Sequence, residues 1–293
     1  IAAPVVPMNE ASTDPTARKM VLTTGVARRS PARKMPPETT KSASSSMMNW
    51  PYSTRACTTV VFSPAAKNQI ATGPWTAVPD ITLTTNIVRH VAGGISISGR
   101  DYQRTSELAR NIKIENNLFQ DVSGEYGSDM GGFLLFAGGP ANITVNHNTI
   151  LHTRNILDVD RDTSAGFVYT NNLSRHNRYG IKGDGRAVGI DTLQTVFPGY
   201  VFRGNALAGG PSGSYPAGNF FPSEAEFAAS FVSPSTGNYA LAAASPLNNA
   251  GTDRRDVGAD LAAIIAAQGG GATPHEPGDP TDPPPTDPPP PDD

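Results

Sequence analysis

"NIKIENNLFQDV" at residues 111–122 returns thirty-one residues later as "NITVNHNTILHT" at 142–153. Both copies alternate apolar with polar residues, then place Asn before an apolar-containing pair and a polar end. Alignment on that Asn finds five copies: "ITLTTN-IVRHV", "IKIENN-LFQDV", "ITVNHN-TILHT", "FVYTNN-LSRHN" and "YVFRGN-ALAGG". The Asn residues are Asn86, Asn117, Asn148, Asn172 and Asn205, at steps of 31, 31, 24 and 33. A period in this range marks stacked units, none able to bury its apolar face alone. Each copy reads as a strand of period two, a sharp turn and a second short strand. No Asn-Gly signal folds the two strands into a hairpin. Strands stacked in parallel, coil upon coil, with Ile and Val as the inner wall, satisfy the pattern. The expectation is an all-β parallel β-helix, a solenoid. The repeated Asn is expected to take the left-handed backbone of the turn and to bond to its counterpart in the next coil, forming a ladder.

The remaining sequence is bounded by composition. The 293 residues include 29 Gly and 27 Pro, with 38% apolar residues, which favours a turn-rich β protein. No apolar run reaches the length of a membrane span, so no membrane insertion is expected. A single cysteine, Cys57, excludes a disulfide framework. The net charge is −3 but unevenly spread: residues 1–58 hold eight Lys/Arg against three Asp/Glu, and residues 272–293 hold six acids and no Lys or Arg. The near-neutral middle argues against nucleic acid as a partner.

Three segments follow. Residues 1–58 show no period of 2 or 3.6 and read as an irregular or disordered arm. Their Ala, Arg, Pro, Ser and Thr bias also fits a segment that is not native in-frame sequence. Residues 59–268 hold the coils and a closing segment. Residues 269–293 read as a Pro/Asp-rich linker, extended and solvated, which tethers the domain or once joined it to a further part. The repeat starts abruptly near residue 59, so earlier coils are expected to be missing. Two short helices are expected: one at "PSEAEFAASF", with Ser223 and Glu226 as a capping box, and one within "RDVGADLAAIIAAQGGG". The second is expected to close the open end of the coil.

The rungs "ARNIKIENNLF" and "PANITVNHNTIL", with "NYALAAASPLNNAGTDRRDVGADL" at 238–261, resemble the bacterial right-handed parallel β-helix repeat proteins of the pectate-lyase-like superfold. The resemblance covers residues 59–265. It implies a right-handed coil and a secreted or surface-bound bacterial protein, and it leaves activity open, because this fold hosts lyases, hydrolases, epimerases and adhesins. The paired-Asp plus Gly-His-Gly pattern of polygalacturonases is absent.

Two columns of polar residues can be counted from the ladder. Four residues past each Asn stand His90, Asp121, His152, His176 and Gly209. Ten and twelve residues past stand Ser96, Asp158, Lys182 and Ser98, Asp160, Asp184. Ile95, Leu157 and Ile181, at nine, are expected to point inward, which turns "DVDRD" (158–162) and "KGDG" (182–185) onto one outer face. There Asp158 should neighbour Lys182, and Asp160 should neighbour Asp184. Paired carboxylates suit glycoside hydrolysis. With Ca²⁺ between Asp160 and Asp184 and a basic residue nearby they suit elimination at a uronate. Asp158, Asp160, Asp184 and Lys182 are the candidate catalytic residues. Arg161, Arg186, His152, His176 and Trp75 are the candidate substrate-binding residues. Trp75 and Tyr102 lie in loops between rungs, where a ring either packs as a loop anchor, the more expected role, or stacks on sugar. The expected role is binding or degradation of an extracellular polysaccharide by a monomer. The alternative is a non-catalytic adhesion or structural module on a Pro-rich stalk.

Overall fold

The computed structural model describes residues 18–20, 63–66, 75–104, 106–127 and 131–268. Most of the 1–58 arm and all of the 269–293 linker lie outside these residues, and Arg18–Met20 (β1) is known only as a strand paired with β2. The alternating segments form three parallel sheets. The first contains β1, β2 (Pro79–Thr84), β5 (Arg110–Glu115), β8 (Ala141–Asn146), β11 (Val168–Thr170) and β14 (Val201–Arg203), side by side in that order. The second contains β4 (Ile95–Ser98), β7 (Leu134–Ala137), β10 (Leu157–Val159) and β13 (Ile181–Gly183). The third contains β3 (Ile87–Val91), β6 (Leu118–Val122), β9 (Thr149–His152), β12 (Leu173–Arg175) and β15 (Ala206–Ala208). The chain visits one strand of each sheet per coil, so the molecule is a parallel β-helix.

Side chains of one parity fill the interior. Ile112, Ile114, Phe119, Phe136, Ile143 and Val145 are among those fully enclosed, each contributing about 1.5–3 kcal/mol by burial. Toward the last coils the core turns aromatic: Tyr169 stacks on Phe202 at 5.3 Å and Phe202 on Tyr215 at 5.6 Å. Rings stacked along the coil axis match the strand spacing of about 4.8 Å. Helix α1 (Ile190–Val196) packs on the edge strand β13 and, with Phe197 after it, sends Leu193 and Val196 into the same core.

The Asn ladder is present and buried. Asn86, Asn117, Asn148 and Asn172 each donate from Nδ2 to the Oδ1 of the next, at 2.9, 2.9, 3.0 and 3.2 Å. It runs one step further than the sequence pattern, from Asn205 to Asn219 at 3.0 Å. The left-handed backbone, however, belongs to the residue before each ladder Asn: Thr85, Asn116, His147 and Asn171, then Gly204 and Gly218, with φ from 50° to 82°. The ladder Asn is therefore selected for its buried amide, and its predecessor makes the corner.

The chain then turns back. Helix α2 (Glu224–Ala229) starts at the expected capping box, with Ser223 Oγ accepting from the Glu226 amide at 3.2 Å and Glu226 accepting from the Ser223 amide at 2.7 Å. A hairpin of β16 (Phe231–Ser233) and β17 (Asn238–Leu241) follows. Residues 251–268, ending in α3 (Leu261–Ala267), do not close the end of the coil as the sequence suggested. They run as a strap along its flank. The reason lies in the corner residues. Asn171 accepts from the Thr252 amide at 2.8 Å, His147 holds Asp253 and the Gly258 carbonyl at 3.0 and 3.2 Å, and Asn116 accepts from the Asp260 amide at 2.7 Å. Leu261 and Ile264 of α3 then cover Ile87 and Leu118 on the outer side of the third sheet.

Candidate functional site

The outer face of the second sheet carries the predicted +10 column. Ser96 pairs with Leu135, Leu135 with Asp158, and Asp158 with Lys182. Ile95, Leu157 and Ile181 point inward, buried as expected. Leu135 occupies the place in the 111–136 coil that the insertion "SGEYGSDMG" had hidden from sequence alignment.

Asp158 sits half-buried on this face and accepts from Asn155 Nδ2 at 2.7 Å. Burial pushes its carboxyl above the ordinary Asp value, Asn155 and Arg154 pull it back, and the Asp184 charge adds to the rise. Asp184 is exposed. Asp160 and Asp184 follow the paired residues Val159 and Gly183, so these expected neighbours do lie on adjacent rungs. Arg154 and Asp158 edge a hollow of about 280 Å³ floored by Gly94, Gly132 and Leu135.

Asp160 is engaged otherwise than the sequence predicted. Its Oδ2 accepts from the Gly138 amide at 2.7 Å and from the Tyr102 hydroxyl, and its Oδ1 accepts from the Asp162 amide at 2.9 Å. The carboxylate thus leans toward Gly138, which follows β7 in the preceding coil, and is bound up by three donors. Among the described residues no group of three or more His, Cys, Asp or Glu side chains forms a metal site. Lys182 bends to the Arg186 carbonyl. Arg161 and Arg186 are exposed, and the Arg161 guanidinium lies beside Gly185, in the turn after Asp184.

Tyr102 links this face to its neighbour. Residues 100–104 and 106–108, with Trp75, line an open groove of about 770 Å³ to which Arg100, Arg104 and Glu107 contribute charge. Trp75 is 72% exposed and Tyr102 62% exposed, so neither is a packed loop anchor. The Tyr102 hydroxyl end is drawn inward, and its partial burial together with the Asp160 carboxylate pushes the phenol up to about 12. The ring stays on the surface with its hydroxyl fixed.

His152 and His176 cannot serve as surface ligands. They are 2% and 4% exposed. β9 lacks the extra residue that β6 carries, so His152 pairs with Val122 and takes its inward place. There it approaches the Arg175 carbonyl at 3.0 Å, and burial lowers its pKa to about 4. His176 packs edge-on to Tyr215 at 5.5 Å. The +4 column holds together only in its first two members, His90 and Asp121, at 2.8 Å.

Comparisons with protein-family models, with curated proteins and with solved structures gave no match to this chain.

Proposed function

We propose that this chain recognises an extracellular polysaccharide along the groove of Trp75 and Tyr102 and the adjoining outer face of β4, β7, β10 and β13, as a secreted or surface-held bacterial protein of the pectate-lyase-like kind. One observation carries the reading: two aromatic rings stand exposed in one groove, and one of them is fixed through its hydroxyl to Asp160. A ring held open in this way offers a flat apolar face to the C–H face of a sugar at little entropic cost. Arg100, Arg104 and Glu107 supply donors and acceptors for hydroxyl and carboxyl groups.

Asp158 and Asp184 favour cleavage as a second reading. One carboxyl is half-buried and holds its proton more readily, and the other is exposed, which is the division of roles that acid–base cleavage of a glycosidic bond requires. In that reading Asp158 is the acid, Asp184 the base or nucleophile, and Asp160 positions Tyr102. A glycan array of acidic and neutral polysaccharides tests recognition. Product analysis on the best binder then separates hydrolysis, elimination and binding alone. Substrate bound and returned intact identifies an adhesion module; no binding to any polysaccharide refutes the proposal.

A further inference from the structure

On the third sheet, away from Trp75 and Tyr102, His90 and Asp121 share an unusual backbone. Their φ values are 53° and 61°, a left-handed conformation that non-glycine residues seldom adopt and that structures retain where it serves a site. The cause is a stacked pair of bulges. Val91 pairs with Val122, and the register slips by a residue between Phe119 and Val122 on passing to β9. The extra residue in β3 and in β6 is turned out of the wall while Val91 and Val122 stay inside, the usual effect of a bulge in re-aiming a side chain.

Two adjacent bulges set an imidazole beside a carboxylate. His90 Nδ1 lies 2.8 Å from Asp121 Oδ2 and 3.0 Å from the Tyr126 hydroxyl, and that hydroxyl donates to the same Asp121 oxygen. Tyr126 also packs edge-on to the His90 ring at 5.3 Å. All three contacts are satisfied when Nδ1 carries the proton, which leaves Nε2 with a lone pair. His90 and Asp121 are each more than one-third exposed and border a groove of about 370 Å³ beneath the β16–β17 hairpin, with Leu151, Arg175 and Tyr239 among its walls. That volume is in the range of small-ligand sites. Arg175 is paired with Glu224 at 2.9 Å, and the Asp121 oxygen that faces His90 already accepts from His90 and Tyr126, so the described residues lining the groove offer hydrogen-bonding groups and no unpaired cation to an anion.

We infer that His90, Asp121 and Tyr126 form a second binding site, which takes a single neutral sugar ring. One ring hydroxyl donates to His90 Nε2, the apolar ring face lies on Tyr239 and Leu151, and Arg175 donates to a ring or hydroxyl oxygen. The inference is independent of the Trp75 groove: it uses another sheet and none of the same residues.

Nitrogen NMR of histidine-labelled protein at about pH 8, above the ordinary histidine range, tests it. The expected spectrum shows His90 as the Nδ1–H tautomer, reverting to Nε2–H in Asp121→Asn. Titration with a panel of methyl glycosides should shift the His90 Nε2 resonance saturably. The affinity should fall about tenfold in His90→Ala, as expected on loss of one hydrogen bond to the ligand, and should survive Trp75→Ala. The buried His152 resonance reports that each variant is folded. Should His90→Ala not fold, Tyr126→Phe, which keeps the ring and removes the hydroxyl, is expected to keep the Nδ1–H tautomer, because Asp121 still accepts from Nδ1, and to weaken binding by loosening the imidazole. An Nε2–H tautomer in the unaltered protein, a panel in which no glycoside moves His90, or binding unaffected by His90→Ala or Tyr126→Phe would overturn the inference.

Discussion

His147 Nε2 holds the Asp253 carboxylate at 3.0 Å across 106 residues of chain. His147 Nδ1 meets the Gly258 carbonyl at 3.2 Å, so both ring nitrogens grip the strap. Against partial burial, Arg255 and His147 hold the Asp253 carboxyl down to about 2. His147→Ala or Asp253→Asn is expected to loosen residues 251–268. Hydrogen exchange should then quicken at the amides of Thr252, Gly258, Ala259 and Asp260 while the strand amides of β5 and β8 keep their protection. Equal protection of the strap in both variants would show that the latch contributes nothing.

The strap also shields Ile87 and Leu118. Removal of residues 251–293 should expose that apolar flank and promote association, which light scattering will detect as a rise in mass above the monomer. A truncated protein that stays monomeric would contradict the covering role.

The ladder and the corner make separate predictions. Asn148 donates to Ile114, Asn146 and Asn172 and accepts from Asn117. Asn148→Ala should cost roughly 1–3 kcal/mol in urea unfolding, because buried partners lose their bonds. Thr85 is a β-branched residue at φ 57°. Thr85→Asn should stabilise by about 1 kcal/mol, since Asn tolerates the left-handed region better.

His152 gives a pH signature. Its folded pKa of about 4 lies below the ordinary 6.5, so the unfolded chain binds a proton that the folded chain refuses. Stability from this residue is complete above about pH 6.5 and is lost as the pH falls toward 4, by roughly 3 kcal/mol in all. His152→Gln should flatten the slope of unfolding free energy between those values. An unchanged slope would mean that His152 is not held neutral in the core.

Asp158 should respond to Asp184. Removing the exposed charge in Asp184→Asn should lower the Asp158 titration midpoint, read by carbon NMR of the carboxyl, because a like charge that favours the protonated form is gone. Asp160→Asn should leave that midpoint nearly unmoved, since its oxygens face Gly138 and Tyr102. A larger shift from Asp160→Asn than from Asp184→Asn would contradict the assignment of that coupling to Asp184.

The coils were legible because Ile112, Ile143 and their neighbours repeat at a fixed spacing, and a solenoid turns spacing directly into stacking. The register of Asp158 with Lys182 followed from the same count. Counting failed where the coil changes length. The bulges at His90 and Asp121 break the +4 column, and His152, one residue out of step, falls inside. Asn219 escaped notice because it lies only fourteen residues after Asn205 and no alternating strand precedes it. The corner assignment was off by one because Thr85, Asn116, His147 and Asn171 have no common chemistry: a left-handed φ constrains the backbone, and the side chains are free to serve the strap. Tyr102 with Asp160, 58 residues apart, is a tertiary contact outside any period.

The most direct test of polysaccharide recognition is isothermal titration of the best-binding polysaccharide against the unaltered protein, Trp75→Ala and Tyr102→Ala. Stacking of a sugar on either ring predicts a loss of about tenfold or more in affinity for each variant, with the thermal midpoint unchanged in Trp75→Ala, whose ring lies on the surface, and slightly lowered in Tyr102→Ala, which also gives up the bond to Asp160. Full affinity in both variants would contradict the account and remove the groove of Trp75 and Tyr102 from the function of this chain.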